Sequence, residues 1–315
     1  MNAWAPPIWI YLWMAGMAGG AYFAAFLAER FSGIKDRKLL RLASYVGVPL
    51  AVIGVLLLVV DLGSPLRFWH LFTEFKMSSP MSMGTWILLA WIIIAVICMV
   101  LWWIGNKITE PTASSLRKLT GLLSAANVPL AVLLIAYTGV LLAVSNQSLW
   151  SGTALLPALF VTSAVSTGVA LLILAALAAN AISKGKLAEM RMALNYLFGD
   201  TDWTISSKTV ARLAEADVIV IVLELVTLVG YTIWLGVSSV AGTGDAIGML
   251  TTGVMAAPFW VGVVLLALLI PLGIEIANWG KEIESKGVVR AVITSSTCVI
   301  LGGLVLRAVI TIGGQ

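Results

Sequence analysis

WILLAWIIIAVICMVLWWI, Trp86 to Ile104, runs for 19 residues without a single charged side chain. Coiled as an α-helix at 1.5 Å per residue it would reach about 28 Å, close to the ~30 Å hydrocarbon core of a bilayer. No water-facing helix is apolar on every side, so this stretch is expected to cross a membrane. Working outward, runs of the same kind recur along the chain. Eight segments reach spanning length, at 8–29, 43–62, 84–104, 119–143, 153–181, 213–237, 254–278 and 288–310. Composition agrees: 60% of the 315 residues are hydrophobic, 11% are charged, and the mean hydropathy is +1.03. A soluble domain of this size needs more charge on its surface.

The expected architecture is an all-α integral membrane protein of eight transmembrane helices. It divides into a first four-helix bundle over 1–145 and a second over 146–315. Pro49, Pro129 and Pro271 fall inside segments, which membrane helices tolerate when neighbours satisfy the freed carbonyls. The first seven residues lack a basic n-region and no small-residue cleavage site follows, so no cleavable signal is expected. The longest polar stretch, Lys184 to Arg212, reads as a loop or surface helix.

Charge gives the orientation. Of the 19 lysines and arginines, all but Arg67, Lys76 and Arg307 follow the first, third, fifth or seventh segment. The positive-inside rule then places those loops in the cytoplasm and both termini outside. The pI near 9.1 is thus a matter of topology and does not imply nucleic acid as a partner. The second and fourth segments share an echo, VPLAVIGVLL from Val48 and VPLAVLLIAY from Val128. Both run outward, which sets Tyr137 about one turn deeper than Asp61, near the outer third of the bilayer.

DLGSPLRFWHLFTEFKMSSPMSMGTW, Asp61 to Trp86, therefore lies at the outer face. It carries the one histidine of the chain, His70, beside Asp61, Arg67, Glu74 and Lys76. A membrane haem b usually needs two axial histidines and an iron–sulfur cluster needs several thiolates. One histidine and two cysteines in different segments, Cys98 and Cys298, supply neither. If this protein handles electrons, it does so through a bound diffusible carrier and a metal centre on a partner.

LGSPLRFW, SPMSMGTW, YTGVLL at Tyr137–Leu142, LPALF at Leu156–Phe160 and the terminal LGGLVLRAVITIGGQ together resemble the NrfD family. The opening IYLWMAGMAGGAYF resembles that family's glycine-rich first helix. The motifs keep their order over essentially the whole chain. The resemblance implies eight helices in two bundles and a quinone site near the outer face, for menaquinone or ubiquinone. It also implies a four-cluster ferredoxin-like iron–sulfur subunit docked there, often joined to a molybdopterin enzyme. Such a subunit resides in a bacterial or archaeal cytoplasmic membrane. In the polysulfide-reductase branch, polar side chains of the first helix, a histidine among them, help hold the quinone. Here Tyr11 to Tyr22 contains no histidine or asparagine, so another group must supply that hydrogen bond or the head-group lies differently.

Within this frame the residues sort as follows. Tyr137 is either an interfacial belt tyrosine or, by the YTG match, the donor to a quinone carbonyl. Gly84 lets a flat ring approach the backbone, or simply packs. Arg67 and Trp69 complete the expected pocket. Asp61 and His70 are the expected proton acceptors, His70 because imidazole titrates near neutrality; an ordinary helix-end acid and an interfacial histidine are the plainer readings. Glu224 is different, because an acid at the middle of a span is costly and by default functional. Asp217, Glu224 and Tyr231 are spaced by seven and share one helix face. They read as a proton path, or as a structural ion pair with Arg307. Glu275 and Asn278 read as interfacial. The competing function is an ion- or solute-translocating subunit that uses the acids of the sixth segment, and a plain structural anchor is a third. Copurified quinone would favour the first reading, and solute uptake by liposomes holding this protein alone the second.

Overall fold

The computed structural model describes residues 6–31, 38–61, 79–105, 107–108, 112–144, 150, 153–183, 203–238, 240 and 242–314, with Asp61 described by its backbone alone. Among these residues there are nine α-helices, one π-helical stretch and no strand. The helices are α1 (Pro6–Phe31), α2 (Lys38–Asp61), α3 (Pro80–Gly105), α4 (Thr112–Ala143), α5 (Leu155–Ser183), α6 (Ser207–Val237), α7 (Thr243–Thr251), α8 (Ile270–Ala277) and α9 (Lys286–Gly313). Eight spans are long and apolar enough to cross a membrane, the seventh running from Pro258 to Ala277. All eight expected segments are therefore helical.

The differences lie at the ends. α4 begins seven residues before the apolar run and α6 six residues before it, because helical hydrogen bonding continues where hydrophobicity stops. At α6 the start is set by Ser206, whose hydroxyl accepts from the Thr209 N–H (3.1 Å). Part of the polar stretch expected as a loop or surface helix is thus the first turn of a span. The short helix α7 was not anticipated. It carries too few apolar residues to signal a span and sits between Gly242 (φ 85°) and the next crossing. α2 and α4 run unbroken through Pro49 and Pro129. In the seventh span, Pro258–Leu269 winds with the wider π pattern and returns to α just before Pro271.

Small residues let the helices approach. α1 packs against α2, α4, α5 and α9, which makes it the hub of the fold. Its crossing with α5 is built from Gly16 and Gly20 opposite Ala164 and Gly168. A Cβ built at Gly20 would overlap the Ala164 carbonyl, and one at Gly168 would overlap the α1 backbone at Gly20 and Ala21. Both helices show the small-xxx-small spacing that allows such contact in lipid, where hydrophobic burial alone does not drive helices together. α9 uses the same device twice, with Gly302 against Ala267 of the π-helical stretch and Gly303 against Thr167 of α5.

Aromatic and amide groups then lock the packing. The Tyr22 hydroxyl donates to the Ser124 carbonyl (3.2 Å), and its ring meets Trp91 edge-on at 5.7 Å. Trp13 Nε1 donates across to the Ile300 carbonyl of α9 (3.1 Å), and Trp150 Nε1 to the Ile310 carbonyl (2.7 Å). Isoleucines, leucines and valines of α2, α3, α4 and α6 that remain exposed, such as Leu56, Ile93, Leu133 and Val226, face outward as a lipid-contacting surface requires.

Candidate functional site

Two polar regions are buried in this apolar body. The first lies near the end of the molecule where α1 and α3 begin and α2 and α4 finish. Tyr11 enters from α1 and is 3% exposed. Its ring rests against Gly54 of α2, where an added Cβ would stand 3.2 Å from Tyr11 Cδ2. Tyr137 enters from α4, and its phenol group faces that of Tyr11. Gly84, in the second turn of α3, lies under the Tyr137 ring so closely that a Cβ there would overlap it. The two glycines thus cut a notch in which two tyrosine rings sit flat against backbone, their hydroxyls turned toward each other.

The structure brings Tyr137 and Gly84 together, with the Tyr137 ring itself occupying the space above the glycine. It adds Tyr11, which sequence reasoning passed over. Its signal was available: a tyrosine early in the glycine-rich first helix, in the very stretch that lacks histidine and asparagine. Arg67, Trp69, His70 and the side chain of Asp61 lie outside the described residues.

The second region runs through α5, α6, α8 and α9. Arg307 is fully buried. Its Nη1 donates to Ser163 Oγ (2.6 Å) and to the Gly303 carbonyl (3.1 Å), and its Nη2 to the Phe160 carbonyl (3.4 Å). The guanidinium also lies over the Phe160 ring at 5.3 Å. Ser163 accepts from Arg307, which leaves its own proton to give to Glu224, the acid beside both. Glu224 is 3% exposed at the middle of α6. Arg307 and Glu224 are thus linked through Ser163, a hydroxyl that touches both groups.

Toward the other end of the helices, Asp217 is wholly buried, and among the described residues neither of its carboxylate oxygens has a hydrogen-bond partner. It stands beside Glu275 of α8 and Ser166 of α5. Ser295 Oγ donates to Glu275 Oε1 (2.7 Å), while Glu275 Oε2 is left without a partner among the described residues. Glu275 is 4% exposed, turned inward against α9 near the end of its span. Asn278 is half-buried, its Nδ2 bonded to the Ile274 carbonyl (2.7 Å). A crevice of about 10 Å³, lined by Glu215, Glu275, Asn278, Lys281 and Val292, reaches Glu275 from the end where the basic loops gather. Tyr231 is buried on the face of α6 that also carries Asp217 and Glu224, and its ring stacks on Trp234 at 6.5 Å.

The two regions approach each other at α1. Gly16 lies five residues beyond Tyr11, about 7.5 Å of helix rise, and a Cβ on it would stand 3.5 Å from Arg307 Nη2. From notch to crevice the order is Tyr137, Tyr11, Arg307, Ser163, Glu224, Asp217, Glu275. An ionised side chain buried this deeply is costly unless paired.

Comparison with known families decides the kinship. The model of the polysulphide reductase family NrfD matches residues 1–193 and 176–315. The chain belongs to the NrfD family. Among its relatives are the protein NrfD of Escherichia coli strain K12, 28% identical over 333 residues, and the C component of polysulfide reductase from Wolinella succinogenes, 27% identical over 327. The NrfD homolog of Haemophilus influenzae is 27% identical over 329 residues. Each alignment covers 99% of the present sequence, and 95%, 94% and 94% of the respective relative. With eight spans and this kinship, it is a multi-pass membrane protein.

Proposed function

We propose that this NrfD-family protein is the quinone-reactive membrane subunit of a multi-subunit respiratory oxidoreductase. The supporting observation is the notch in which Gly84 seats Tyr137 against Tyr11. The Tyr137 ring lies against the α3 backbone there, and its hydroxyl meets that of Tyr11, a pair of donors that a quinone carbonyl would engage. A quinone supplies two-electron, two-proton redox chemistry when bound. Tyr137 orients one of its oxygens by hydrogen bond, and Tyr11 is the first-helix group that fills the place of the missing histidine. Arg67 and Trp69 contribute to the same pocket, while Asp61 and His70 exchange protons with outer water. Asp217, Glu224 and Tyr231, together with Glu275, Ser163 and Arg307, form a line along which protons pass between the pocket and the opposite face.

In this reading the protein sits in a bacterial or archaeal cytoplasmic membrane with both termini outside. Its two halves, 1–145 and 146–315, are the two four-helix bundles. A four-cluster ferredoxin-like iron–sulfur subunit docks over the 61–86 segment and carries electrons between the quinone and a molybdopterin subunit. The experiment is quinol-dependent activity of the intact complex, with the partner's dye-linked activity as control. Copurified quinone together with a selective loss of quinol activity in Tyr137→Phe supports the proposal. Unchanged quinol kinetics in both Tyr137→Phe and Tyr11→Phe, with assembly intact, would remove the notch from the site.

A further inference from the structure

A groove of about 930 Å³ opens between α5, α6 and α9 at the end where the basic loops gather. Its floor is apolar, formed by Leu174, Leu177 and Ala178 of α5 with Val289 and Ile293 of α9. These residues belong to membrane spans, and Ala178 and Ile293 are exposed to whatever surrounds the protein. Its rim is cationic. Lys286 and Arg290 project one helical turn apart from the first turns of α9 and both line the groove. Among the described residues neither forms an ion pair. Among the described residues one acid, Glu284, shares the rim; it accepts from Ser207 Oγ (3.4 Å) and leaves one positive charge in excess there, while nearby Glu282 is held by Lys208 at 3.5 Å.

Asn180 clamps the backbone entering α6 through two bonds with Ile205: its Nδ2 donates to the carbonyl and its Oδ1 accepts from the N–H, both 2.8 Å. These bonds tie α5 to the start of α6 along one side of the groove.

We infer that this groove binds an anionic phospholipid, its phosphate between Lys286 and Arg290 and an acyl tail along the α5–α9 floor. A soluble phosphate compound would match the rim but leave the apolar floor wet. A zwitterionic lipid would match the floor but bring its own cation to two others. Basic pockets between spans at such a face favour acidic head-groups because each cation there adds to the attraction. The site is separate from the tyrosine notch and from the line of buried acids, and it needs neither to be functional.

The test uses the full-length protein purified in mild detergent and loaded into bilayer discs of equal phosphatidylglycerol and phosphatidylcholine. Lipid retained after delipidation is counted by native mass spectrometry. The wild type is expected to retain phosphatidylglycerol over phosphatidylcholine by roughly fivefold, as one net cation would give. Lys286→Gln with Arg290→Gln should abolish that preference, whereas Lys107→Gln with Lys118→Gln, which removes two charges elsewhere on the same face, should keep it. Ala178→Trp blocks the floor while leaving every charge in place, and should also lower retention severalfold. Equal retention in the Lys286/Arg290 variant and its control overturns the inference. So does full retention in Ala178→Trp, or complete displacement of the lipid by millimolar inorganic phosphate.

Discussion

The tyrosine notch and the acid-bearing axis solve opposite problems with opposite materials. In the notch, polarity is dilute: two neutral hydroxyls on aromatic rings, seated on Gly54 and Gly84. Nothing there has to be ionised, so the site can stay apolar enough to admit a lipid-soluble ring. Along the axis, polarity is concentrated: Asp217, Glu224, Glu275 and Arg307 are all within 4% of complete burial. Even so, both Asp217 oxygens, Glu275 Oε2 and Arg307 Nε have no partner among the described residues. Each unsatisfied buried polar atom costs about 1–3 kcal/mol. Under the proposed function, the notch receives the quinone and the axis passes protons.

Several variants would break or sharpen that contrast. The largest effect is expected from Glu224→Gln, which keeps shape and removes the exchangeable charge at the centre of the axis. Turnover-linked proton movement across proteoliposomes holding the complex should fall about 100-fold, in the range of a lost acid–base group. Dye-linked activity of the partner should stay normal. Undiminished proton movement would reduce the axis to a structural feature.

Next is Gly84→Val, which drives side-chain atoms into the Tyr137 ring. Overpacking costs about 1–3 kcal/mol, and here its relief would displace the tyrosine. Quinol-dependent activity should drop by roughly tenfold or more, the rate equivalent of the upper part of that range, while dye-linked activity of the partner holds. Tyr137→Phe should cost less, about two- to tenfold, as for one neutral hydrogen bond. Tyr11→Phe should resemble it, and the double variant should be no worse than the more impaired single one if the two hydroxyls act as a unit. Strict additivity would show that they act independently.

Ser163→Ala removes the hydroxyl that Arg307 and Glu224 share. A loss of about 1–3 kcal/mol in stability is expected, seen as a lower unfolding temperature of the detergent-solubilised protein. The smallest effect belongs to Lys208→Gln, which cuts an exposed pair with Glu282 worth at most about 1 kcal/mol. Its unfolding temperature should hardly move, which makes it the baseline for the others.

Much of this was legible in the sequence, for identifiable reasons. Spans announce themselves because lipid forbids charge over about 20 residues, and Asp217 and Glu224 stand out against that silence. α7 was missed because Thr243–Thr251 is neither long nor apolar. Glu275 was missed because it sits near a span end, where position along the sequence cannot separate inward from outward. Only the packing of α8 on α9 decides that. Tyr11 was missed because a tyrosine near a span terminus has a common role as an interfacial anchor. Ser163, one of several hydroxyl residues in α5, has no signal until Arg307 is placed beside it.

The seam between α1 and α5 has one more consequence. With Gly20 pressed on the Ala164 carbonyl and Gly168 on the α1 backbone, the closest contacts are to backbone and to the Ala164 methyl, which has no rotamer to repack. Sliding one helix along the other would drive backbone into backbone, and separating them would open a slot that only lipid could fill. The seam therefore behaves as a weld and not as a bearing. That weld keeps α1, which carries Tyr11, in fixed register with α5, which carries Ser163.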